Sequence, residues 1–519
     1  MSAAAAGYVR HIEIETPVLG NNLADCQRLE MALKKSLGLG NQDRPVHIPW
    51  HLVQTLPSKL RQADFRARAV LFKDRRSWRL VDLLALDYHR PVLGAAIDIG
   101  TTRIVIQLLD LETGKILGNS GLDNPQAQIG PDVLARIHHS AKPGGLTELQ
   151  NLVIGAVNTH LAELAETAGW TREDIFIVTG AGNTAMTHLF LGIEAFDIIK
   201  EPYIPCTNIP DTLAAGRVGL CIRPNGRVFL FPNIGSYFGG DLLAGIIYSD
   251  LDRRERPSLV VDVGTNAEIV VGCRDWLIAC AGAAGPALEG GVSKMGMTAG
   301  PGVIDRVAID PGTRKVNVHT IEEQPPVGIC GSGMIDLVAA LFLSGMVDIR
   351  GKFVKEICKD RLIEMDDIPA FVLVRATDSG TGDPICLTQV DLNSLTSSKA
   401  AMYTILEVIV KNTAGLSFED LETFYVAGTF GSFINPESAI SIGMIPDLDR
   451  SVFQVLGNSS LGGAAMVLTD PTAFDRVMAI RETITYIELN VNQEFMNMFS
   501  GAKFYPHTQG SKFPSVQVP

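Results

Sequence analysis

The 519-residue sequence has eight cysteines, yet no two of them are spaced C-x-x-C and no run matches a ferredoxin pattern. The thiols therefore read as isolated and buried rather than as an iron–sulfur motif. Long apolar runs are missing too: no stretch approaches the ~20 apolar residues that a membrane-spanning helix needs. Positive charge is scarce. Lysine and arginine number 44 against 57 aspartates and glutamates, a formal net charge of −13, which argues against nucleic acid or an anionic membrane as the general partner. Any phosphate site must then be made locally, from amides, dipoles and a metal. The opening MSAAAAGYVRHIEIE has small residues but no apolar core of the kind a signal peptide carries, so a cytoplasmic protein is expected.

What is present is core-forming material. Hydrophobic residues make up 46% and charged residues 19%, the balance of a globular protein, at a length that divides into several domains. The chain is organised around Ala96-Ile97-Asp98-Ile99-Gly100-Thr101-Thr102-Arg103, echoed by Val260-Val261-Asp262-Val263-Gly264-Thr265-Asn266. Each is an apolar, β-branched run ending in an aspartate and a Gly-Thr turn. The run reads as a buried strand. Glycine lets the backbone bend sharply and approach a ligand with its N–H groups exposed to an anion. Threonine adds a hydroxyl donor, and the aspartate suits a metal ion or a water beside a phosphate. One such turn usually just joins two strands. Two copies suggest two similar lobes gripping one phosphate chain.

The remaining pattern follows this plan. Residues 1–91 read as a small α+β unit, with helices over Asn22–Lys35 and Leu52–Leu60 and strands over Ala67–Phe72 and Trp78–Leu84. From Leu93 a strand meander precedes a long helix over Thr147–Ala168, and the strand Ile175–Thr179 runs into Gly180-Ala181-Gly182-Asn183-Thr184 at a helix start. Gly239-Gly240-Asp241 begins another helix, where Asp241 is either a capping residue or a general base. A second meander opens at Leu259 and leads to a small-residue loop whose Glu289 would orient water or Mg²⁺, or simply be a solvated acid. A strand-rich stretch is expected over residues 350–390 and a long helix over Leu395–Thr413. Gly428-Thr429-Phe430-Gly431 then places two glycines where a flat ring or ribose can approach the backbone. The Pro- and Ser-containing end, from Lys503 to Pro519, reads as a weakly held extension.

Taken in order, these pieces resemble the actin / sugar kinase / heat-shock-chaperone ATPase superfamily. Asp98-Ile99-Gly100-Thr101-Thr102 is similar to its first phosphate motif, Asp262-Val263-Gly264-Thr265-Asn266 to its second and Ala427-Gly428-Thr429-Phe430-Gly431 to its adenosine motif. Within it, NPQ at 124–126, GNTAMTHLFLG at 182–192, GGD at 239–241, DVGTNAEI at 262–269, AAGPALEGG at 283–291, GICGSGMID at 328–336 and AGTFGSFI at 427–434 resemble the reductive activators of corrinoid proteins. The resemblance implies an α/β, two-lobed ribonuclease-H-like ATPase over residues 92–505, its second lobe starting near 257. The small domain over 1–91 precedes it and a tail over 506–519 follows. ATP and Mg²⁺ are the implied cofactors, and a corrinoid protein of a methyltransferase system is the implied partner, whose Co(II) is helped back to Co(I). Asp98 and Asp262 would place metal and water, with Asp241 and Glu289 beside them as further catalytic candidates. Gly100, Thr101, Thr102, Gly264, Thr265 and Asn266 would contact phosphates, and Gly428, Thr429, Phe430 and Gly431 the adenosine. The family's iron–sulfur domain has no counterpart in these cysteines, which leaves three alternatives: that domain has been removed, a separate ferredoxin-type donor supplies it, or the chain has a different task; homodimer formation is left open.

Three other readings share the pattern. A small-molecule kinase would phosphorylate a sugar or carboxylate in the same cleft. A dehydratase-activator-like ATPase would share a [4Fe–4S] cluster across a dimer, with Cys280 and Cys330 as its ligands. A docking module would bind nucleotide without hydrolysis.

Overall fold

Strands that flank the two aspartates are buried along almost their whole length, as happens only where a sheet is covered on both faces. A computed structural model describes residues 7–40, 43–264, 267–282, 295–310, 312–428, 434–488 and 493–519, in two compact units.

The first unit comprises the chain up to Tyr248 together with Ser459–Glu482. Its first sheet contains β1 (Val9–Glu13), β2 (Val46–His47), β3 (Arg66–Lys73) and β4 (Trp78–Ala85) in the order β1-β3-β4-β2. Helices α1 (Asp25–Ser36) and α2 (Trp50–Gln62) pack on it, α2 burying Leu52, Leu56 and Leu60 along one stripe. The second sheet is built from β5 (Leu93–Ile99), β6 (Arg103–Asp110), β7 (Ile116–Asp123), β8 (Ile175–Ala181), β9 (Leu213–Ala214) and β10 (Arg227–Leu230), ordered β7-β6-β5-β8-β10-β9. β5, β6 and β7 form an antiparallel meander, whereas β5, β8 and β10 run parallel. Parallel neighbours need crossovers, and helices α3 (Val133–Ser140), α4 (Gly145–Thr167), α5 (Thr184–Leu191) and α6 (Gly240–Tyr248) lie in those connections or beyond them. The two sheets are tied by ion pairs: buried Asp82 on β4 accepts from Arg223 at 3.0 and 2.7 Å, and Arg68 on β3 donates to Glu112 at 2.8 Å.

The second unit comprises Ser249–Asn458 and Thr483–Pro519. It opens with the meander β11 (Ser258–Val263), β12 (Ala267–Cys273) and β13 (Trp276–Gly282). Two three-stranded sheets follow: β14 (Val303–Ile309), β15 (Val316–Thr320) and β16 (Gly328–Ile329), then β17 (Leu362–Met365), β18 (Ile368–Val374) and β19 (Ile385–Thr388). The latter is the strand-rich stretch expected over 350–390. β20 (Phe424–Ala427), β21 (Phe453–Gly457) and β22 (Thr485–Glu488) complete the main sheet, ordered β21-β20-β11-β12-β13-β22. Again the meander is antiparallel and β11, β20 and β21 are parallel. The two units thus repeat one ribonuclease-H-like topology, the fold that the paired Asp-x-Gly-Thr turns implied.

Two sequence expectations need correction. The helix expected over Leu395–Thr413 starts earlier, at Gln389, because Thr388 and Asp391 cap it reciprocally, and it ends at Glu407 in a wider π turn over Val408–Thr413. The C-terminal segment is also firmly docked. Tyr505 is buried with its hydroxyl 2.6 Å from Thr396 Oγ1, and fully buried Lys399 donates to the carbonyls of Phe504 and Pro506. Lys512 bridges Glu407 at 2.7 and 2.9 Å, and Phe513 is buried. Proline and serine content misled here, because the anchors are single aromatic and lysine side chains on a distant helix.

This docking has a pH signature. Burial, reinforced by the charge of Lys512, pushes half-buried His507 down to about 4. The native state therefore keeps the ring neutral while the unfolded chain protonates it near 6.5. The resulting stability is present above pH 6.5 and is lost as pH falls from there through 4. Discounted for solvent screening, the loss between pH 7.5 and 5 is about 1 kcal/mol. Between pH 7.5 and 5 the native chain should lose about 1 kcal/mol relative to His507→Gln in urea melts; a stability difference that does not change with pH would reject the assignment.

Candidate functional site

Each unit carries one aspartate turn, and each turn is braced by its own neighbours. In the first unit Asp98 lies near the end of β5, opposite Val105 of β6 and beside Ala181 of β8. The Gly100 corner is tight, since an added Cβ would sit 2.2 Å from the Arg103 carbonyl. Two asparagines hold the turn: Asn124 Nδ2 donates to the Gly100 carbonyl at 2.9 Å, and Asn183 Nδ2 donates to Thr101 Oγ1 at 2.9 Å. Asn183 also caps α5 by accepting from Met186 N, so one side chain fixes both the helix start and the threonine. Thr102 is exposed. Ser460, on the helix Ser459–Thr469, donates to Asp98 Oδ1 at 2.9 Å.

The start of α6 belongs to the same constellation. Gly240 N donates to the Gly182 carbonyl at 2.9 Å, and a Cβ on Gly239 would lie 2.3 Å from Asn183 Cα. Only glycine permits this approach. Asp241 therefore occupies the first turn of α6, half-buried, its Oδ1 accepting from Leu242 N at 2.9 Å. Burial, reinforced by the charge of Asp98 and opposed by the Leu242 N–H, pushes its carboxyl up to about 7. A carboxylate near neutral is poised for proton transfer.

In the second unit Asp262 lies near the end of β11, paired with Glu268 of β12 and Ala427 of β20. Gly428 adopts a φ of +83°, and a Cβ there would stand 2.6 Å from Asp262 Oδ1 and 3.0 Å from the Val263 carbonyl. The adenosine-motif glycine is thus packed against the second phosphate-motif aspartate. Gly264 is half-buried at the turn. Thr265, Asn266, Glu289, Thr429, Phe430 and Gly431 lie outside the described residues.

Mg²⁺ takes hard oxygen donors and usually only one or two carboxylates, the rest of its shell coming from water and phosphate. Asp98 and Asp262 each offer one such carboxylate in their own unit, and among the described residues no group of three or more His, Cys, Asp or Glu is gathered. The cysteines fit a cluster poorly: Cys280 is wholly buried in the second unit's core, where desolvation raises its thiol, and Cys330 Sγ is engaged with the Ile304 carbonyl and Ser332 Oγ. Ser460, Asn124 and Asn183 are the bracing residues whose roles sequence reasoning missed. Asn183 has a local signal, as an asparagine directly before a helix, and Asn124 has only its place in the NPQ string.

Among the described residues no helix is long and apolar enough to cross a membrane. Three family models match the chain in succession: the RACo linker region over residues 5–90, the RACo middle region over 93–254, and the C-terminal domain of RACo, the ASKHA domain, over 256–517. The corrinoid activation enzyme RamQ of Eubacterium limosum is 30% identical over 430 residues, covering 81% of this chain and 72% of its own. A [Co(II) methylated amine-specific corrinoid protein] reductase of Methanosarcina barkeri is 25% identical over 460 residues, covering 78% and 76%. The solved structure of a reductive activator for corrinoid, iron-sulfur protein superposes with a TM-score of 0.86 at 36% identity, covering 99% of this chain and 82% of that one. The chain belongs to the RACo family, the reductive activators of corrinoid proteins.

Proposed function

We propose that the chain is an ATP-dependent activator of a corrinoid protein, helping to return Co(II) to Co(I) in a methyltransferase system. The observation that carries this reading is the 36% identity over 99% of the chain to a reductive activator, at a TM-score of 0.86. Electrons come from an iron–sulfur centre outside these 519 residues, on a further domain or on a separate ferredoxin-type donor. Nucleotide contributes by favouring one arrangement of the protein over another, through its differential affinity for the two. That bias drives docking or release of the partner.

In this reading Thr101, Thr102, Thr265 and Asn266 contact phosphates, Gly428, Thr429, Phe430 and Gly431 carry adenosine, and Asp98 and Asp262 hold Mg²⁺ and orient water, with Glu289 assisting. Bound Mg²⁺ would neutralise phosphate charge. Asp241 accepts the proton of the attacking water. Two supports for these roles are the hydrogen bond from Asn183 to Thr101 and the raised Asp241 carboxyl.

The test is MgATP turnover with and without a Co(II) corrinoid protein from the same cell. Phosphate release that changes with the corrinoid protein supports the reading. Turnover indifferent to it, with phosphate appearing on a sugar or carboxylate, would establish the kinase instead. The base has its own signature. Asp241 is protonated below about 7, so turnover should rise about tenfold per pH unit up to that point and then level off. Asp241→Asn should flatten the profile; an unchanged slope would remove Asp241 from the chemistry.

A further inference from the structure

A cavity of about 660 Å³ in the first unit is lined by Arg75, Arg76, Arg79, Arg217 and Arg227 and shares no lining residue with the Asp98 turn. Its volume falls inside the ~300–1,000 Å³ of small-ligand sites. Five arginines face two aspartates, Asp74 and Asp211, in a chain whose overall charge is −13. Asp74 is already committed, accepting from Arg79 Nε at 2.8 Å and from the Arg75 backbone. Among the described residues no carboxylate pairs with Arg75, Arg76, Arg217 or Arg227, and the buried Arg227 Nε has no hydrogen-bond partner at all.

The arginines are held there by the fold. Arg79 stands on β4, Arg75 and Arg76 on the turn before it, Arg227 at the start of β10 opposite Ala214 of β9, and Arg217 in the turn after β9. Two sheets therefore present cations to one space. The cations repel one another: burial and then the charge of Arg79 depress Arg227, with Asp74, already paired to Arg79, opposing only in part. Desolvated like charges are unfavourable unless something answers them. An anion would.

We propose that this cavity binds a compact polyanion carrying two or more phosphate groups, at a site separate from the Asp98 turn of the same unit. Guanidinium forks match phosphate oxygens two bonds at a time, and several forks around one space suit linked phosphates better than a lone carboxylate. Among the described residues no aromatic ring lines the cavity, so they offer no stacking platform for a base, and the ligand is read by charge.

The experiment is calorimetric titration of inorganic pyrophosphate and tripolyphosphate into the full chain at 0.15 M salt without Mg²⁺. The native protein and an Arg76→Glu/Arg217→Glu variant are compared; both positions are exposed and carry no ion pair, so folding should be unaffected, which a melting curve checks. Binding at one site per chain, weakened at least tenfold in the variant while ATP affinity is unchanged, supports the proposal. Equal binding by both proteins would mean that the anion sits at the nucleotide turns, and would overturn it. Absence of binding would overturn it too, as would capture of an oligoglutamate peptide in preference to pyrophosphate, which would make the patch a protein-docking surface.

Discussion

Phosphate release by Asp262→Ala is expected to fall about 100-fold or more, with the melting temperature close to that of the native chain. Asp262 is half-buried near the end of β11, and Gly428 approaches it so closely that a Cβ there would lie 2.6 Å from its Oδ1. Removing the carboxylate deletes a preorganised negative charge and its oxygen donors, a class of change that typically costs 10²–10³ in rate. Asp241→Ala supplies the contrast. It touches its own helix turn through Leu242 N and feels the charge of Asp98. If Asp241 is the base, its loss also slows turnover, while nucleotide affinity stays near the native value. Should Asp241→Ala turn over normally while Asp262→Ala is dead, the base role is wrong and Asp241 merely starts α6. Should Asp262→Ala turn over normally, the second phosphate turn is not part of the nucleotide site.

Much of the fold was legible because its signals are local. The runs ending in Asp98 and Asp262 are continuous apolar stretches, and continuous burial is what β5 and β11 show. Recurrence of Asp-x-Gly-Thr implies recurrence of topology, and both units have the same meander followed by parallel strands. The bracing of the site was much less visible. Ser460 reaches Asp98 from a position 362 residues further along the chain, and nothing in the string GNSSLGG marks which serine will do so. Asn124 was noticed as part of a motif, but its hydrogen bond to the Gly100 carbonyl depends on where β7 ends. The docked C-terminal segment was misread for a similar reason: Lys399 satisfies two carbonyls more than 100 residues away, a pairing without sequence periodicity. Local pattern specifies elements; side chains that lock one element to another are specified by tertiary geometry.

That geometry yields a second large effect, from two adjacent glycines that sequence alone cannot rank. Gly462 and Gly463 both lie on the helix Ser459–Thr469, which packs against α6. A Cβ on Gly463 would sit 2.2 Å from the Ala244 carbonyl oxygen and 2.6 Å from Ala244 Cα, all backbone of α6. Backbone cannot swing aside, so Gly463→Ala must push the helices apart, and destabilisation of about 3 kcal/mol is expected, the upper end of overpacking. A Cβ on Gly462 would meet the Tyr248 ring at 2.4 Å, a nominally similar clash. Tyr248, however, is 41% exposed and can rotate toward solvent. Replacing a helical glycine by alanine also returns up to about 1 kcal/mol of helix propensity, so Gly462→Ala should be nearly neutral. Denaturant melts of the two variants separate these cases, and equal losses would mean that the close approach of the two helices is not as described. The consequence reaches the site. Ser460 rides on the same helix and holds Asp98 at 2.9 Å, so a displacement large enough to admit one methyl group at Gly463 is also large enough to break that hydrogen bond. Gly463→Ala protein that remains folded at low temperature should therefore bind ATP more weakly than Gly462→Ala, although neither glycine is assigned a contact with nucleotide.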